Sequence, residues 1–174
     1  MSEKQAKENG ISIMPMKFYV DGEEYSSSEG KITITGLCEK MGIAHCFVVD
    51  SLTYLARGGR ISQKSAFIGN LINIKPVMHL NDEGKIVLIQ KVLGRNRSLK
   101  NVVTRFRENY NGKFDTVFIT HADCLKDAEF VAAEIKKINP ALKVIVNELG
   151  NVITCHSGPG TMAVYFTTDS RKEV

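Results

Sequence analysis

The apolar and polar positions of this chain fall into a succession of short strand-like and helix-like patterns. Ile11 to Val20 sets Ile11, Ile13, Met16, Phe18 and Val20 against polar neighbours, a strand pattern that Pro15 interrupts and the turn signal Asp21-Gly22 closes. Tyr25 to Gly30 is rich in serine and reads as loop. Ile32 to Met41 is ambiguous, with Thr35 available to cap a short helix carrying Leu37, Cys38 and Met41. Ile43 to Val49 is a continuous apolar run, the mark of a buried strand. Asp50 or Ser51 then caps a short helix over Leu52–Arg57, which Gly58-Gly59 ends. Ser62 caps a further helix, roughly 63–72.

Ile74–Leu80 and Lys85–Val92 are strand-like runs separated by Asn81-Asp82-Glu83-Gly84, a hairpin signal. Ser98 to Tyr110 places Leu99, Val102, Val103, Phe106 and Tyr110 on one helical stripe. A strand over Phe114–Thr120 precedes a second strong helix from Asp123 or Cys124 to Asn139. There Ala128, Val131, Ala132, Ile135 and Ile138 face inward and Pro140 stops the helix. Leu142–Val146 is a strand. The last stretch, Gly150 to Phe166, reads as strand, tight Ser-Gly-Pro-Gly-Thr loop and strand. The order predicts an α/β layer structure: a mixed sheet with helices packed on it, parallel through the helical crossovers and antiparallel through the hairpins.

Composition narrows the class. With 174 residues, 43% of them hydrophobic, the chain is long enough for one core without disulfides or metal. The net charge of +4 is spread along the chain and Trp is absent, so a dedicated nucleic-acid partner has no support. No apolar run approaches the ~20 residues of a membrane span, and residues 1–10 are too polar for a signal peptide. Cys38, Cys46, Cys124 and Cys155 show no paired spacing; a cytoplasmic protein with buried, reduced thiols is expected.

Candidate chemistry is sparse. His45 lies in an apolar strand and reads as a satisfied interior or edge histidine, and His79 as a surface one. His121, with Asp123, stands where a strand ends, the usual ligand side of an α/β sheet, although helix capping by Asp123 explains that position equally. His156 stands at the lip of the Gly158-Pro159-Gly160 loop. The two glycines allow positive φ and close approach, Pro159 limits the freedom between them, and the histidine suits an anion. In Gly58-Gly59-Arg60-Ile61-Ser62 the arginine sits between a glycine turn and a helix cap, fit to bind a phosphate or carboxylate or merely to pair with a surface acid. Metal-ligand spacing, a phosphate-binding glycine motif and a nucleophile elbow are all missing, so no catalytic residue and no metal site is assigned.

Taken together these stretches resemble the DegV family of bacterial fatty-acid-binding proteins. The residues that carry the resemblance are Phe47-Val48-Val49-Asp50-Ser51-Leu52-Thr53-Tyr54-Leu55 leading into Gly58-Gly59-Arg60-Ile61-Ser62, then Gly69-Asn70-Leu71-Ile72-Asn73-Ile74-Lys75-Pro76, the His121-x-Asp123 strand end, and His156-Ser157-Gly158-Pro159-Gly160-Thr161. All occur in order over about residues 43–167. The resemblance implies one long-chain fatty acid such as palmitate in an apolar tunnel, its carboxylate beside His156, with Gly158 and Gly160 shaping that site. It implies a carrier in lipid transport or fatty-acid metabolism that presents the acid to a separate ATP-dependent fatty-acid kinase, with no cofactor of its own.

The chain also departs from the family pattern. Members typically have two domains, and hydroxyls of a Thr-Ser-x-Pro-Ser type motif in the first hold the carboxylate opposite the histidine. That motif and the family's opening Asp-Ser strand are not found. Residues 1–42 look like a remnant of the first domain and 43–174 like the second. The family's Lys-Val-Arg appears as Lys91-Val92-Leu93, which leaves Arg95 or Arg97 to serve kinase docking. The readings carried forward are a fatty-acid carrier, a fragment that folds without binding ligand, and a small anion- or phosphate-handling enzyme using His156 and Arg60.

Overall fold

Strands that alternate between two faces, with different residue types on each, generate this architecture. The computed structural model describes residues 17–20, 23–26, 42–62, 73–81 and 85–169. The chain divides into two compact units, Met1–Leu37 and Cys38–Val174. In the first, β1 (Lys17–Val20) pairs antiparallel with β2 (Glu23–Ser26), Lys17 opposite Ser26. β2 thus extends into what reads as a serine-rich loop, because pairing with β1 gives its backbone a ladder that the side-chain pattern does not announce. The expected strand over 11–16, the turn at 21–22, the loop over 27–30, and the helices over 32–41 and 63–72 lie outside the described residues.

The second unit runs β3 (Ile43–Val48), α1 (Leu52–Arg57), β4 (Ile74–Leu80), β5 (Ile86–Leu93), α2 (Arg95–Asn109), β6 (Thr116–His121), α3 (Leu125–Ile138), β7 (Lys143–Glu148), α4 (Asn151–Ser157) and β8 (Met162–Thr167). Its six strands lie in the order β5-β4-β3-β8-β6-β7. Only β6 and β7, joined through α3, pair in parallel; β4–β5, β3–β4, β3–β8 and β6–β8 are antiparallel. The α2 crossover leads from one edge of the sheet to the far side, so β5 and β6 are not neighbours. The expected mixed α/β sheet with helices packed on it is the observed one.

Alternation divides the work between the two faces. Ala44, Cys46 and Val48 of β3, Val117 and Ile119 of β6, and Met162, Val164 and Phe166 of β8 point to one face. Leu99, Val102 and Phe106 of α2 and Ala128, Val131 and Ile135 of α3 close over them to form the main core. Phe106 anchors it, stacked on Tyr110 and edge-on to Phe166. The opposite face carries His45, Phe47, Ala163 and Tyr165. Over one end of it α1 buries Leu52, Leu55 and Ala56 with Val49 and Met78 in a smaller cluster, and α4 packs against α1.

Four expectations are corrected, the simplest being Ile138, read as inward but exposed at the end of α3. The stretch after Gly150 is not a strand but the helix α4. Both edges of β8 are already bonded, to β3 and to β6, so a strand folded back onto β8 through the tight loop has no place beside it. The chain must instead return across the end of β6, and Gly158, at φ 84°, closes the helix with its N–H on the Thr154 carbonyl at 2.7 Å. His79 is buried, because β4 is an inner strand bonded on both sides. Cys155 is exposed on α4, whereas Cys46 is fully buried. Burial pushes the Cys46 thiol up to about 12, with Arg105 pulling weakly the other way. Native protein treated with iodoacetamide at pH 8 should therefore alkylate Cys155 and leave Cys46 unmodified until denaturant is added, as peptide mapping by mass spectrometry will show; modification of Cys46 at the native rate of Cys155 contradicts the packing of β3.

Candidate functional site

The site grows from two short helices that meet over the second sheet face. Ser51 caps α1, accepting a hydrogen bond from the Thr53 N–H at 3.2 Å, and Leu52 and Leu55 turn the helix onto the sheet. At its far end Gly58 and Gly59 serve different needs. Gly59, at φ 71°, takes the left-handed conformation that lets the chain turn away. Gly58 has ordinary helical φ, but a Cβ on it would stand 2.8 Å from Nδ1 of His156. Its bare Cα is the surface against which the imidazole lies. Arg60 follows, its N–H bonded to the Leu55 carbonyl at 2.8 Å and its guanidinium donating to the Gly58 carbonyl.

The loop after α4 interlocks with α1 in the same manner. Gly158 lies under the Tyr54 ring, where a Cβ would come within 2.3 Å of the ring carbons. Gly160, at φ 77°, lies under Asp50, where a Cβ on it would stand 2.5 Å from the Asp50 Cβ. Asp50 is held in turn by Lys75 of β4, Nζ to Oδ1 at 2.8 Å. The close approach that the glycines permit is thus made by the chain's own helix. Ser157 and Thr161 spend their hydroxyls inside this loop, donating to the Ile153 carbonyl at 2.9 Å and the Gly158 carbonyl at 2.7 Å. Ser157 is therefore a structural hydroxyl, not a poised nucleophile.

Between these helices and the sheet lies a cleft of ≈ 670 Å³, within the range of small-molecule sites. Phe47, Leu55, Leu80, Ile86, Leu149, Ile153 and Ala163 make it mostly apolar, and His45 and Tyr165 line it as well. Its polar lining includes Arg60, Lys85 and His156, and among the described residues no Asp or Glu lines it. Such a cleft suits a molecule with an apolar body and an anionic end.

His156 and Arg60 are brought into this one cleft, with Gly158 and Gly160 in the loop that sets the His156 position. His121 and Asp123 are elsewhere, lining a separate cavity of ≈ 700 Å³ at the ends of β6 and β7. His121 follows Val117 and Ile119 onto the helix-covered face, and its Nδ1 is buried without a hydrogen-bond partner. Sequence reasoning did not assign His45, Tyr165 and Lys85 to the cleft. The available signal was phase: His45 and Tyr165 alternate with core residues on either side, so both face away from α2 and α3. Among the described residues no cluster of three His, Cys, Asp or Glu could hold a metal ion, and no helix is long and apolar enough to cross a membrane.

A sheet sealed by helices on one face and carrying an apolar, cation-lined cleft on the other defines a one-sided α/β domain. The chain belongs to the DegV family: the family model described as "Uncharacterised protein, DegV family" matches residues 40–169. A DegV domain-containing protein of Clostridium perfringens is 40% identical over 134 residues, 76% of this chain and 46% of that one. The crystal structure of the fatty acid binding DegV family protein from Streptococcus agalactiae is similar with 34% identity and a TM-score of 0.66, covering 83% of this chain and 52% of its own. A DegV family protein from Thermus thermophilus, described for fatty acid binding, gives 27% identity and a TM-score of 0.63, covering 82% of this chain and 52% of its own. The chain spans about half the length of these relatives.

The glycine contacts have separable consequences. Gly158→Ala adds a Cβ into the Tyr54 ring at positive φ, so a stability loss of about 3 kcal/mol or more is expected, measured by urea denaturation. Gly58→Ala meets the mobile imidazole instead. It should cost about 1 kcal/mol or less while displacing His156, seen as a shifted His156 ring resonance in NMR; equal losses in the two variants contradict the described packing.

Proposed function

We propose that this chain binds a long-chain fatty acid, such as palmitate, with the acyl chain along the apolar cleft and the carboxylate beside His156 and Arg60. The observation that carries the proposal is the lining of the cleft: apolar side chains together with Arg60, Lys85 and His156 and, among the described residues, no carboxylate. An acyl chain gains by leaving water for Phe47, Leu55, Leu80 and Ile153. A carboxylate accepts charge-assisted hydrogen bonds from a guanidinium or an imidazole N–H. The solved relatives described as fatty acid binding support the same assignment.

In this reading the protein is a carrier in lipid transport or fatty-acid metabolism, not itself the catalyst, and presents its ligand to a separate ATP-dependent fatty-acid kinase. Residues 1–42 correspond to a piece of the family's first domain. His156 and Arg60 supply the basic side of the carboxylate clamp; the family's Thr-Ser-x-Pro-Ser type motif, whose hydroxyls form the other side, is not found in this sequence. For kinase docking the exposed candidate is Arg97. Arg95 is turned inward to Asp127, Nε to Oδ2 at 2.7 Å, and Leu93 stands exposed on the edge strand β5.

Organic extraction of the purified protein should release fatty acid detectable by mass spectrometry, and a fluorescent fatty acid should bind at micromolar concentration. His156→Ala should weaken that binding about tenfold, the scale of one charge-assisted hydrogen bond. The exposed Arg60→Ala should weaken it less, by an amount that shrinks with added salt. A clean extract with no binding would support a fragment that holds no ligand. A hydrolytic or phosphoryl-transfer activity abolished in His156→Ala would instead support an anion-handling enzyme.

A further inference from the structure

The cavity at the ends of β6 and β7 holds acids that the fold does not use. It lies against a different side of α4 from the apolar cleft: Asn151 and Thr154 line the cavity, whereas Ile153, His156 and Ser157 line the cleft. Of its carboxylates, Asp127 is accounted for by Arg95 of α2, Nε to Oδ2 at 2.7 Å. Asp123 and Glu148 form no salt bridge among the described residues. Asp123 does not cap α3 either, since the N-cap is Cys124, with no side-chain cap hydrogen bond. Glu148 ends β7 in register with His121 at the end of β6, so the two side chains leave the sheet on the same face. His121 is 7% exposed and lines the same cavity, and its Nδ1 is buried without a hydrogen-bond partner. An imidazole nitrogen with no acceptor beside it keeps its lone pair, and a buried acceptor left unfilled costs free energy.

We propose that this cavity binds a guanidinium group, seated between the Asp123 and Glu148 carboxylates with the His121 imidazole behind it. Two carboxylates and an unfilled imidazole acceptor call for a positively charged ligand rich in N–H donors. Among the described residues no three His, Cys, Asp or Glu come together closely enough to hold a metal ion, so these acceptors stand too far apart for a compact ion. A guanidinium spreads its charge over a plane with five donors, spans separated acceptors and takes a carboxylate through two parallel bonds. An ammonium concentrates its charge on one nitrogen and matches that spacing less well. Lys126 also lines the cavity, but it is exposed, and the two carboxylates outnumber it. A guanidinium can arrive on a small free molecule or on an arginine of a partner protein, and the chemistry of recognition is the same. The site is independent of what the apolar cleft holds.

The test is titration of the full chain with acetyl-arginine amide and with methylguanidine at constant ionic strength, followed through the His121 ring resonances in NMR. At least one should bind saturably in the millimolar range and shift those resonances. Acetyl-citrulline amide, which has the same shape without the charge, should not. Tighter binding of acetyl-arginine amide assigns the site to an arginine side chain, and tighter binding of methylguanidine assigns it to a small free guanidine. In Glu148→Gln and, separately, in Asp123→Asn the affinity for the tighter probe should fall roughly three- to tenfold, the scale of one net hydrogen bond, with circular dichroism confirming that each variant is folded. No saturable shift with either probe overturns the proposal. So does an equal response to acetyl-citrulline amide, or an affinity unchanged in both variants.

Discussion

Everything on the functional side of this molecule depends on backbone meeting side chain without an intervening Cβ. Gly158 lies under Tyr54, Gly160 under Asp50 and Gly58 under His156, three contacts in which an added Cβ would force its neighbour to shift. They tie α1 to the loop between α4 and β8 from both directions, since α1 gives up a side chain at Gly58 and the loop gives up two. Lys75 extends the tie into the sheet by holding Asp50. The positions of His156, Arg60 and the start of β8 are therefore set by one interlocked unit, and the cleft mouth takes its form from that packing.

The sheet supplies the other half of the design. Its period of two puts Ala44, Cys46 and Val48 under α2 and α3 and leaves His45 and Phe47 on the other side. One face therefore carries most of the stability and the other is free to carry a ligand site. The second face is only partly covered among the described residues. Phe118 on β6 and Val152 and Ile153 on α4 are all exposed, with Val152 at 76%. The solved relatives share this fold over about half of their own length.

Two cavities of similar size show why residue identity decides more than volume. The one containing His121, Asp123, Asp127 and Glu148 mixes carboxylates with polar groups at the ends of β6 and β7. The other combines hydrocarbon with cationic side chains and an imidazole and, among the described residues, no acid lines it. Only the second matches an amphiphilic anion, and it is the one in which His156 and Arg60 meet, although 96 positions separate them in the chain.

Much of this was written locally. The stripes of α2 and α3, the hairpin strands β4 and β5, the cap at Ser51 and the glycine stop after α1 follow from periodicity and capping, because each depends on neighbours a few residues away. The motif run from Phe47 to Thr161 was likewise enough to indicate the family. What local pattern misrepresented was Gly150 to Ser157. Its β-branched residues favour a strand, yet β3 and β6 already occupy both edges of β8, and that competition exists only in the assembled sheet. The burial of His79 and the exposure of Cys155 have the same origin, since burial depends on which strand or helix arrives from far along the chain. So does the meaning of Gly58: its sequence shows a helix end, and only the arrival of His156 beside it shows that the missing side chain makes room for the site.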